Sequence, residues 1–328
     1  MKVRRRSKVA DAPVTVVINT LNRHVQLERT LLALQQQTYS RFEVVVVNGP
    51  STDRTAEMLE HFADRARVVT CAQANLGLSR NIGVQEAAGD IVAFIDDDAI
   101  PPSDWLELLV APFADDCVSA VGGPVFDVPL NRVDWALCTC TRLGVPNTQS
   151  PLPIGSYSGV GSDPFPYLAG CNMSFRRNAL QQVGGFDAML SYGFDDVDIC
   201  CRLNDGGYRI EYVENALVRH DRAPSAIRSE HQITDPYALA RSRVVFALHC
   251  DHSPYARDEI TRRAHDWERE WTSYSSSLLT GGRFTLREHE RFVARARAGT
   301  IDGIELGARP REFVTIGPPP VSKFRQYR

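Results

Sequence analysis

The sequence lacks long hydrophobic runs. Its apolar stretches, such as residues 14–18 and 244–248, are short, whereas a membrane-spanning helix needs about 20 apolar residues. No apolar segment follows the basic first residues, so we expect neither a secretory signal nor a membrane span. These absences predict a cytoplasmic protein.

Two nucleotide-binding fingerprints are also missing. Residues 19–23 (NTLNR), which follow the first apolar run, contain no glycine, unlike the G-x-G-x-x-G loop of dinucleotide-binding enzymes. No P-loop occurs either. An NAD-dependent dehydrogenase is therefore not favoured.

The eight cysteines lack the spacing of a structural zinc site. Cys138 and Cys140 form a C-x-C pair and Cys200 and Cys201 are adjacent, neither of which is a usual zinc motif. We expect the cysteines to be small buried side chains in a reducing compartment.

The composition is that of a globular protein, with 43% hydrophobic and 23% charged residues and a formal charge of −3. One local imbalance stands out, because basic side chains crowd the start of the chain: Lys2, Arg4, Arg5, Arg6 and Lys8. We predict a basic disordered tail over residues 1–12. Peripheral contact with anionic lipid at the inner membrane face stays open as an alternative, and we expect no nucleic-acid partner.

Short β-branched runs alternate with helical segments in the first half of the chain. The pattern predicts strands at 15–18, 43–47, 67–70 and 91–95, with helices at 27–34, 53–62 and 79–87 between them. This alternation predicts an α/β fold with a mostly parallel central sheet flanked by helices. Ligands of such sheets bind at the carboxyl ends of the strands, where polar clusters stand here.

The pattern weakens after Pro124. Residues 127–165 predict an irregular excursion, followed by a strand at 167–175, a helix from near Asp195, and strands at 208–212 and 216–218. Beyond residue 225 the sequence predicts a helical C-terminal extension that ends in an extended tail. The predicted division is a tail (1–12), a catalytic domain (13–224) and the helical extension with its tail (225–328).

Three consecutive carboxylates, Asp96, Asp97 and Asp98, follow the fourth predicted strand. They repel one another, and no Lys or Arg lies close in sequence. A divalent cation would resolve the repulsion, and hard oxygen ligands suit Mg²⁺ or Mn²⁺. In such a D-x-D arrangement, one acid faces a ribose and one holds the metal beside a departing diphosphate. The alternative is an acidic turn that caps the helix through Trp105.

A second acidic cluster begins a predicted helix at Asp195, Asp196 and Asp198. Such residues are either helix caps or catalysts. Sugar transfer needs a separate carboxylate that deprotonates the attacking hydroxyl, and a single in-line displacement gives inversion. Arg80 lies in a Gly-containing turn suited to phosphate binding, and His220 follows a strand, where it is either a core residue or a metal ligand.

In this order, the motifs resemble family 2 glycosyltransferases of the GT-A fold, the nucleotide-diphospho-sugar transferase fold. The resemblance covers residues 14–222. It rests on seven segments: 16–23 (VVINTLNR), 48–53 (NGPSTD), 75–81 (NLGLSRN), 94–98 (FIDDD), 169–176 (AGCNMSFR), 184–187 (GGFD) and 193–198 (GFDDVD).

The resemblance implies roles for individual residues. Asp196 matches the general base, Asp98 the metal ligand beside the diphosphate, and His220 a histidine that binds the metal in some members. The implied donor-binding residues are Thr20, Asn22, Arg23, Asn48, Asp53, Arg80, Asp96 and Asp97. The implied acceptor or sugar-pocket residues are Gly170, Asn172 and Asp195.

Two positions depart from the family pattern. Asn48 stands where many relatives carry Asp, and an amide both accepts a hydrogen bond from a ring N–H and donates one to a ring carbonyl. This favours a UDP- or dTDP-sugar, with guanine left open. Asp195 replaces the usual Glu and is one methylene shorter, which puts its acceptor contact in doubt.

The Gln-x-x-Arg-Trp motif and transmembrane helices of processive members are absent. We therefore expect a non-processive enzyme that adds a sugar to a glycan, lipid-linked or small-molecule acceptor, as in cell-surface polysaccharide biosynthesis. A sugar nucleotidyltransferase and a non-catalytic sugar-nucleotide-binding protein stay as alternatives, and the oligomeric state is open.

Overall fold

The computed structural model describes residues 11–229 and 232–328. Most of the predicted basic tail, residues 1–10, therefore lies outside the described residues. The last two residues of that predicted tail are anchored, since the Tyr39 hydroxyl donates to the carbonyl of Ala12 at 2.6 Å and Arg41 pairs with Asp11 at 2.9 Å.

The first half of the chain forms the predicted alternation. Its elements are β1 (Val14–Thr20), α1 (His24–Leu34), β2 (Phe42–Asn48), α2 (Thr55–Glu60), β3 (Arg67–Thr70), α3 (Leu76–Glu86) and β4 (Ile91–Ile95). Then come β5 (Ala99–Ile100), α4 (Trp105–Val110) and β6 (Val118–Gly122). The acidic run at 96–98 thus ends β4 and does not cap α4, whose N-cap is Asp104.

The second half contains shorter strands and longer helices. The strands are β7 (Val125–Asp127), β8 (Arg132–Trp135), β9 (Cys138–Cys140), β10 (Pro146–Asn147), β11 (Phe165–Tyr167), β12 (Asn172–Arg176), β13 (Arg209–Tyr212) and β14 (Val218–His220). The helices are α5 (Arg177–Gln182), α6 (Asp195–Asp205), α7 (Tyr237–His249), α8 (Arg257–Thr280) and α9 (Leu286–Gly307).

A seven-stranded central sheet has the order β13-β6-β12-β4-β1-β2-β3. β12 runs antiparallel to both of its neighbours, and the other pairs are parallel. The mostly parallel sheet is confirmed. Because β1, β2 and β4 are parallel, their carboxyl ends meet at one edge, and that edge carries the predicted site residues.

Helices cover both faces of this sheet, and its central strands are buried on both sides. Successive side chains of a strand point to opposite faces, so Val17 packs in one hydrophobic cluster and Val16 in the other. α3 lies very close to the sheet at Gly83, where an added Cβ would come 2.4 Å from Val17. Close packing of α3 sets the position of Arg80, which it carries.

The structure corrects three sequence-based expectations. Residues 127–165 are not simply irregular, because β8, β9 and β10 lie there in two small sheets. The strand predicted at 167–175 is two strands, β11 and β12, separated by a loop that contains Gly170. His220 does not follow a strand but ends β14, which pairs with β5 and β7. The strands at 127–165 include two short-range pairs, β7 with β8 and β9 with β10. The other two differences come from pairing of β12 and β14 with strands distant in sequence.

The C-terminal part is helical, as predicted. α9 approaches α7 closely at Gly299, where a Cβ would lie 2.3 Å from the carbonyl of Tyr237. The last residues return to the sheet: Tyr327 is buried against Phe42 and its hydroxyl donates to the carbonyl of Leu31 at 2.9 Å. The boundary between residues 224 and 225 stays a prediction. Among the helices of the described ranges, none combines the length and the apolarity that a bilayer span requires.

Candidate functional site

The first acidic cluster lies at the carboxyl end of β4, where a small sheet brings in His220. β14 pairs with β5 so that His220 opposes Ala99. The His220 Nε2 atom lies 2.8 Å from Asp98 Oδ1 and 3.8 Å from Asp96 Oδ2. Residues 122 positions apart in sequence thus share one point of the sheet edge.

These three side chains fit a divalent cation. One ligand atom from each of Asp96, Asp98 and His220 lies within 4.8 Å of the others. Ligands bound at about 2.1 Å around an octahedral ion are separated by about 3 Å, close to the His220–Asp98 separation. Two carboxylates with one imidazole are a donor set suited to Mn²⁺ or Mg²⁺. His220 Nδ1 has no hydrogen-bond partner among the described residues, so Asp98 orients the ring.

Two arginines also reach the acidic cluster. Arg23 forms an ion pair with Asp98 and lies 3.5 Å from Asp97, and Arg228 lies 3.7 Å from Asp98. No Lys or Arg is close to these acids in sequence, but the fold brings both arginines to them from distant segments. The case for a metal rests on the donor set and not on unbalanced charge.

The charges at this edge are unequal. Burial and the neighbouring Asp98 raise the pKa of Asp97 to about 7, against the attraction of Arg23. Burial also acts to raise the pKa of Asp98. Hydrogen bonding to His220 and the charge of Arg23 outweigh burial and hold the pKa of Asp98 well below its usual range. Burial opposes ionisation of His220, yet the Asp98 partner raises the pKa of that imidazole. Of Asp97 and Asp98, Asp98 is therefore the stronger acid.

A cavity of about 400 Å³ lies beside the acidic cluster. It is large enough for a nucleoside, since small-molecule pockets start near about 300 Å³. The cavity is lined by segments from six parts of the chain: residues 19–23, Gly49, residues 73–76 with Ser79, Asp97, residues 191–192, and residues 224–227 with Ala238. Thr20, Asn22, Arg23 and Asp97 are thereby brought together as predicted donor-binding residues.

Sequence reasoning missed several members of this site. Gln73, Tyr192, Ile227 and Arg228 are brought to it by the fold. Tyr192 lies one residue before the GFDDVD motif, which was the one available signal. Ile227 and Arg228 lie in a segment that carries no recognisable motif.

The first loop (residues 20–23, at the end of β1) and the second loop (residues 48–53, at the end of β2) contact each other through hydrogen bonds. Asn22 has a positive φ of 56°, which Asn tolerates better than most residues, and its Oδ1 accepts from the backbone N–H of Thr52 at 2.7 Å. Asn48 Oδ1 accepts from the Ser51 hydroxyl at 2.7 Å, and Asn48 is buried next to Gly49, which lines the cavity. Thr20 donates to Asp97 at 2.7 Å.

Asp53, a predicted donor-binding residue, forms its contacts with neighbouring residues of the chain. Its carboxylate accepts hydrogen bonds from Thr55 at the start of α2 and contacts His24 Nδ1 at 2.8 Å. Burial acts to raise the pKa of Asp53, but the hydrogen bonds from Thr55 and His24 outweigh it and lower this pKa to about 2. Asp53 therefore stabilises the loop and does not line the cavity.

The second acidic cluster begins α6 after two residues with positive φ, Gly193 at 74° and Phe194 at 66°. A non-glycine residue in this conformation is strained, and Phe194 is held there by stacking on Phe246 at 5.6 Å. Asp196 is partly exposed, and its Oδ2 accepts from the backbone N–H of Gly170 at 3.0 Å. Burial raises the pKa of the Asp196 carboxyl, against the charge of Arg80.

Three further predicted contact residues are buried among other parts of the chain. Arg80, expected to bind a donor phosphate, is 3% exposed and pairs with Asp195. Asp195, expected in the acceptor pocket, is 2% exposed, and burial raises its pKa to about 6 against the charge of Arg80. Asn172 is completely buried and bonds to Trp105, Pro124 and Ala216. These side chains hold the site together beneath its surface.

The chain matches the sequence model of Glycosyl transferase family 2 over residues 15–184, more than half of its length. A second model, the N-terminal domain of galactosyltransferase, matches residues 161–224.

Curated relatives support the same family. The Pre-mycofactocin glycosyltransferase of Mycobacterium tuberculosis is 34% identical over 148 residues, which are 44% of this chain and 29% of that protein. The Glucosyl-dolichyl phosphate glucuronosyltransferase of Haloferax volcanii is 31% identical over 230 residues, 63% of this chain and 68% of that protein. The match thus spans less than a third of the length of the first relative.

Solved structures share the fold. A mannosyltransferase from Pyrobaculum calidifontis in complex with GDP-Man and Mn²⁺ aligns with a TM-score of 0.52 at 18% identity, covering 89% of this chain and 87% of that one. GalNAc-T7 with UDP, GalNAc and Mn²⁺ aligns with a TM-score of 0.59 at 17% identity, covering 87% and 54%. The expected GT-A fold is confirmed.

We predict that Asn172→Ala destabilises the protein by about 2–4 kcal/mol, because a buried polar group left without its partner costs about 1–3 kcal/mol. Urea unfolding measures the loss. Asn178→Ala, at an exposed position of α5, is the control and should change stability by less than about 0.5 kcal/mol. Unaltered stability of Asn172→Ala would return this side chain to a ligand-binding role.

Proposed function

Since the chain belongs to glycosyl transferase family 2 and is a glycosyltransferase, we propose that it is an inverting, metal-assisted enzyme. It transfers one sugar from a nucleotide-diphosphate sugar to an acceptor hydroxyl. The observation that carries this proposal is the presence of two separate acidic sites at one sheet edge. One combines Asp98 with His220 and Asp96, and the other presents Asp196 from the start of α6.

The donor nucleoside occupies the cavity between the first loop and residues 224–227 in this proposal. Arg23 and Arg228 flank Asp98, so both guanidinium groups are close to a diphosphate bound at this edge. Asp98 and His220, with Asp96 beside them, would hold Mn²⁺ or Mg²⁺. The ion would neutralise charge that develops on the leaving diphosphate.

Asp196 is the general base in this proposal. It accepts the proton of the acceptor hydroxyl while the hydroxyl oxygen bonds to the anomeric carbon and the bond from that carbon to the diphosphate breaks. A single displacement inverts the configuration. Burial raises the pKa of Asp196, which makes it a stronger base than an exposed carboxylate.

The donor base is uracil or thymine in this proposal, because the amide of Asn48 suits their neighbouring N–H and carbonyl groups. The named substrate of the Haloferax relative is a lipid-linked sugar, which supports a lipid-linked acceptor at the cytoplasmic membrane face. The basic residues before position 9 would favour such a surface.

We expect UDP and dTDP to stabilise the protein more than GDP in the presence of Mn²⁺. Bound ligand raises the melting temperature in proportion to RT ln(1 + [L]/Kd), so thermal shift ranks the three nucleotides at equal concentration. Asn48→Asp should reduce the gap between UDP and GDP. A larger shift with GDP than with UDP would contradict the assignment of the base.

Asp98→Ala should abolish Mn²⁺-dependent UDP binding in calorimetry, because the variant lacks the Asp98 carboxylate that would bind the metal. His220→Ala should weaken Mn²⁺ affinity by about tenfold or more. Asp116→Ala is the control, since that carboxylate is fully exposed and far from the cluster along the chain. Unchanged Mn²⁺ affinity in His220→Ala would assign this histidine to the core alone.

Asp196→Asn should spare UDP binding with Mn²⁺ and lower transfer by about 10²–10⁴-fold, the usual contribution of general-base catalysis. The assay is nucleoside diphosphate release from a panel of UDP-, dTDP- and GDP-sugars. Calorimetry on the same preparation separates lost catalysis from lost folding. Retained turnover would place the base at another residue.

A further inference from the structure

Arg80 lies between the two acidic sites and contacts neither solvent nor the nucleoside cavity. We propose that Arg80 is a positioning residue for the general base: it holds Asp195 and the Gly170 carbonyl so that the Gly170 amide orients Asp196. This inference rests on the proposed function, since it takes Asp196 as the base. It assigns Arg80 a role other than the expected phosphate contact.

Burial defines what Arg80 can reach. Its guanidinium lies over the rings of Phe94 and Phe186, at 5.7 Å and 5.5 Å from their centroids. Phe94 belongs to β4, two residues before the metal-binding loop, and Phe186 packs against Phe94 at 5.3 Å. The two rings hold the guanidinium inside the core.

Hydrogen bonds connect Arg80 to the base through one residue. One terminal nitrogen pairs with Asp195, and the other donates to the Gly170 carbonyl at 3.1 Å. The Gly170 N–H donates to Asp196 Oδ2 at 3.0 Å. Asp195 and Asp196 are adjacent, so Arg80 holds the base both through its chain neighbour and through Gly170.

Gly170 leaves no room for movement in this arrangement. An added Cβ would lie 2.5 Å from the Arg80 guanidinium and 3.2 Å from Asp196 Oδ2. A side chain at this position would separate the arginine from the base. The close approach of Arg80, Gly170 and Asp196 therefore requires glycine.

The charges that face Asp196 come from several elements. Arg80 of α3 is the cation, while Asp195 of α6 and Asp96 after β4 are the anions that surround that guanidinium. Four thiols and one phenol also face Asp196: Cys138, Cys140, Cys171, Cys200 and Tyr167. Burial raises the pKa of each of these five groups, so they are neutral near pH 7.

Arg80 therefore supplies a positive charge that lowers the pKa of Asp196 against the effect of burial. Removal of that charge raises the pKa of Asp196 further. Transfer requires deprotonated Asp196, so the acidic limb of the pH–kcat profile should move to higher pH. A group that only stabilised the fold would not move this limb.

The test compares Arg80→Met, Arg80→Lys and the double variant Arg80→Met/Asp195→Leu. We expect all three to bind UDP with Mn²⁺ within about threefold of the parent, and kcat to fall by about 10²-fold or more, part of what a base contributes. Arg80→Met should move the acidic limb upward, whereas Arg80→Lys, which keeps the charge, should leave it in place. The double variant keeps the experiment informative if the single one unfolds, because an apolar pair often replaces a buried ion pair without loss of stability.

Arg142→Met is the matched control. Arg142 is also fully buried, pairs with Asp205 at 2.6 Å and lies over the Phe165 ring at 5.7 Å. It has no hydrogen bond to Gly170, Asp195 or Asp196 among the described residues. The variant should lose comparable stability in urea unfolding while its kcat and pH profile stay unchanged.

Two outcomes would overturn the inference. In one, Arg80→Met weakens UDP binding by more than about tenfold, with the change in kcat no larger than in Arg142→Met. In the other, Arg80→Met keeps the parent kcat and pH profile. Asp196→Asn separates these results from a failure of the proposed function: if that variant turns over normally, the base assignment itself is wrong.

Discussion

The parallel register between β1 and β4 is the constraint on which the site depends. Val17 pairs with Phe94 in this ladder, so the residues three positions further along each strand, Thr20 and Asp97, leave the sheet side by side. Their hydrogen bond at 2.7 Å follows directly from that register. A shift by one residue would turn every side chain to the opposite face and separate the first loop from the acidic cluster.

Around this edge the protein buries charge, which is costly unless each group has a partner. Asp98 has four such partners, in His220, Arg23, Arg228 and the backbone N–H of Ala223. Asp195 and Arg80 form a second buried pair. Buried ion pairs are weak sources of stability, and the chain also forms them away from this edge, as between Arg142 and Asp205.

The elements recognised from sequence were those with a local signal. The strands β3 and β4 have the predicted bounds. The three acids at 96–98 directly follow a strand, and the acid pair at 195–196 begins a helix, as predicted. Arg80 and Asn172, predicted from their motifs as contact residues, are buried, because a motif identifies a residue type without saying whether its side chain points to the ligand or into the core. Their burial depends on Phe94, Phe186, Trp105 and Pro124, none of which is a chain neighbour of the residue it covers.

Local periodicity and turn residues in the sequence determined the order of strands and helices, and with it the edge of the sheet where ligands bind. The tertiary structure decided which groups meet there. His220 and Arg228 lie close to Asp98 only because segments distant in sequence pair and pack. The same packing brings residues 191–192 to the wall of the cavity. Strand alternation arises from interactions within a few residues, whereas the distances among metal ligands, base and arginines arise from contacts between residues tens to more than a hundred positions apart, which no local pattern records.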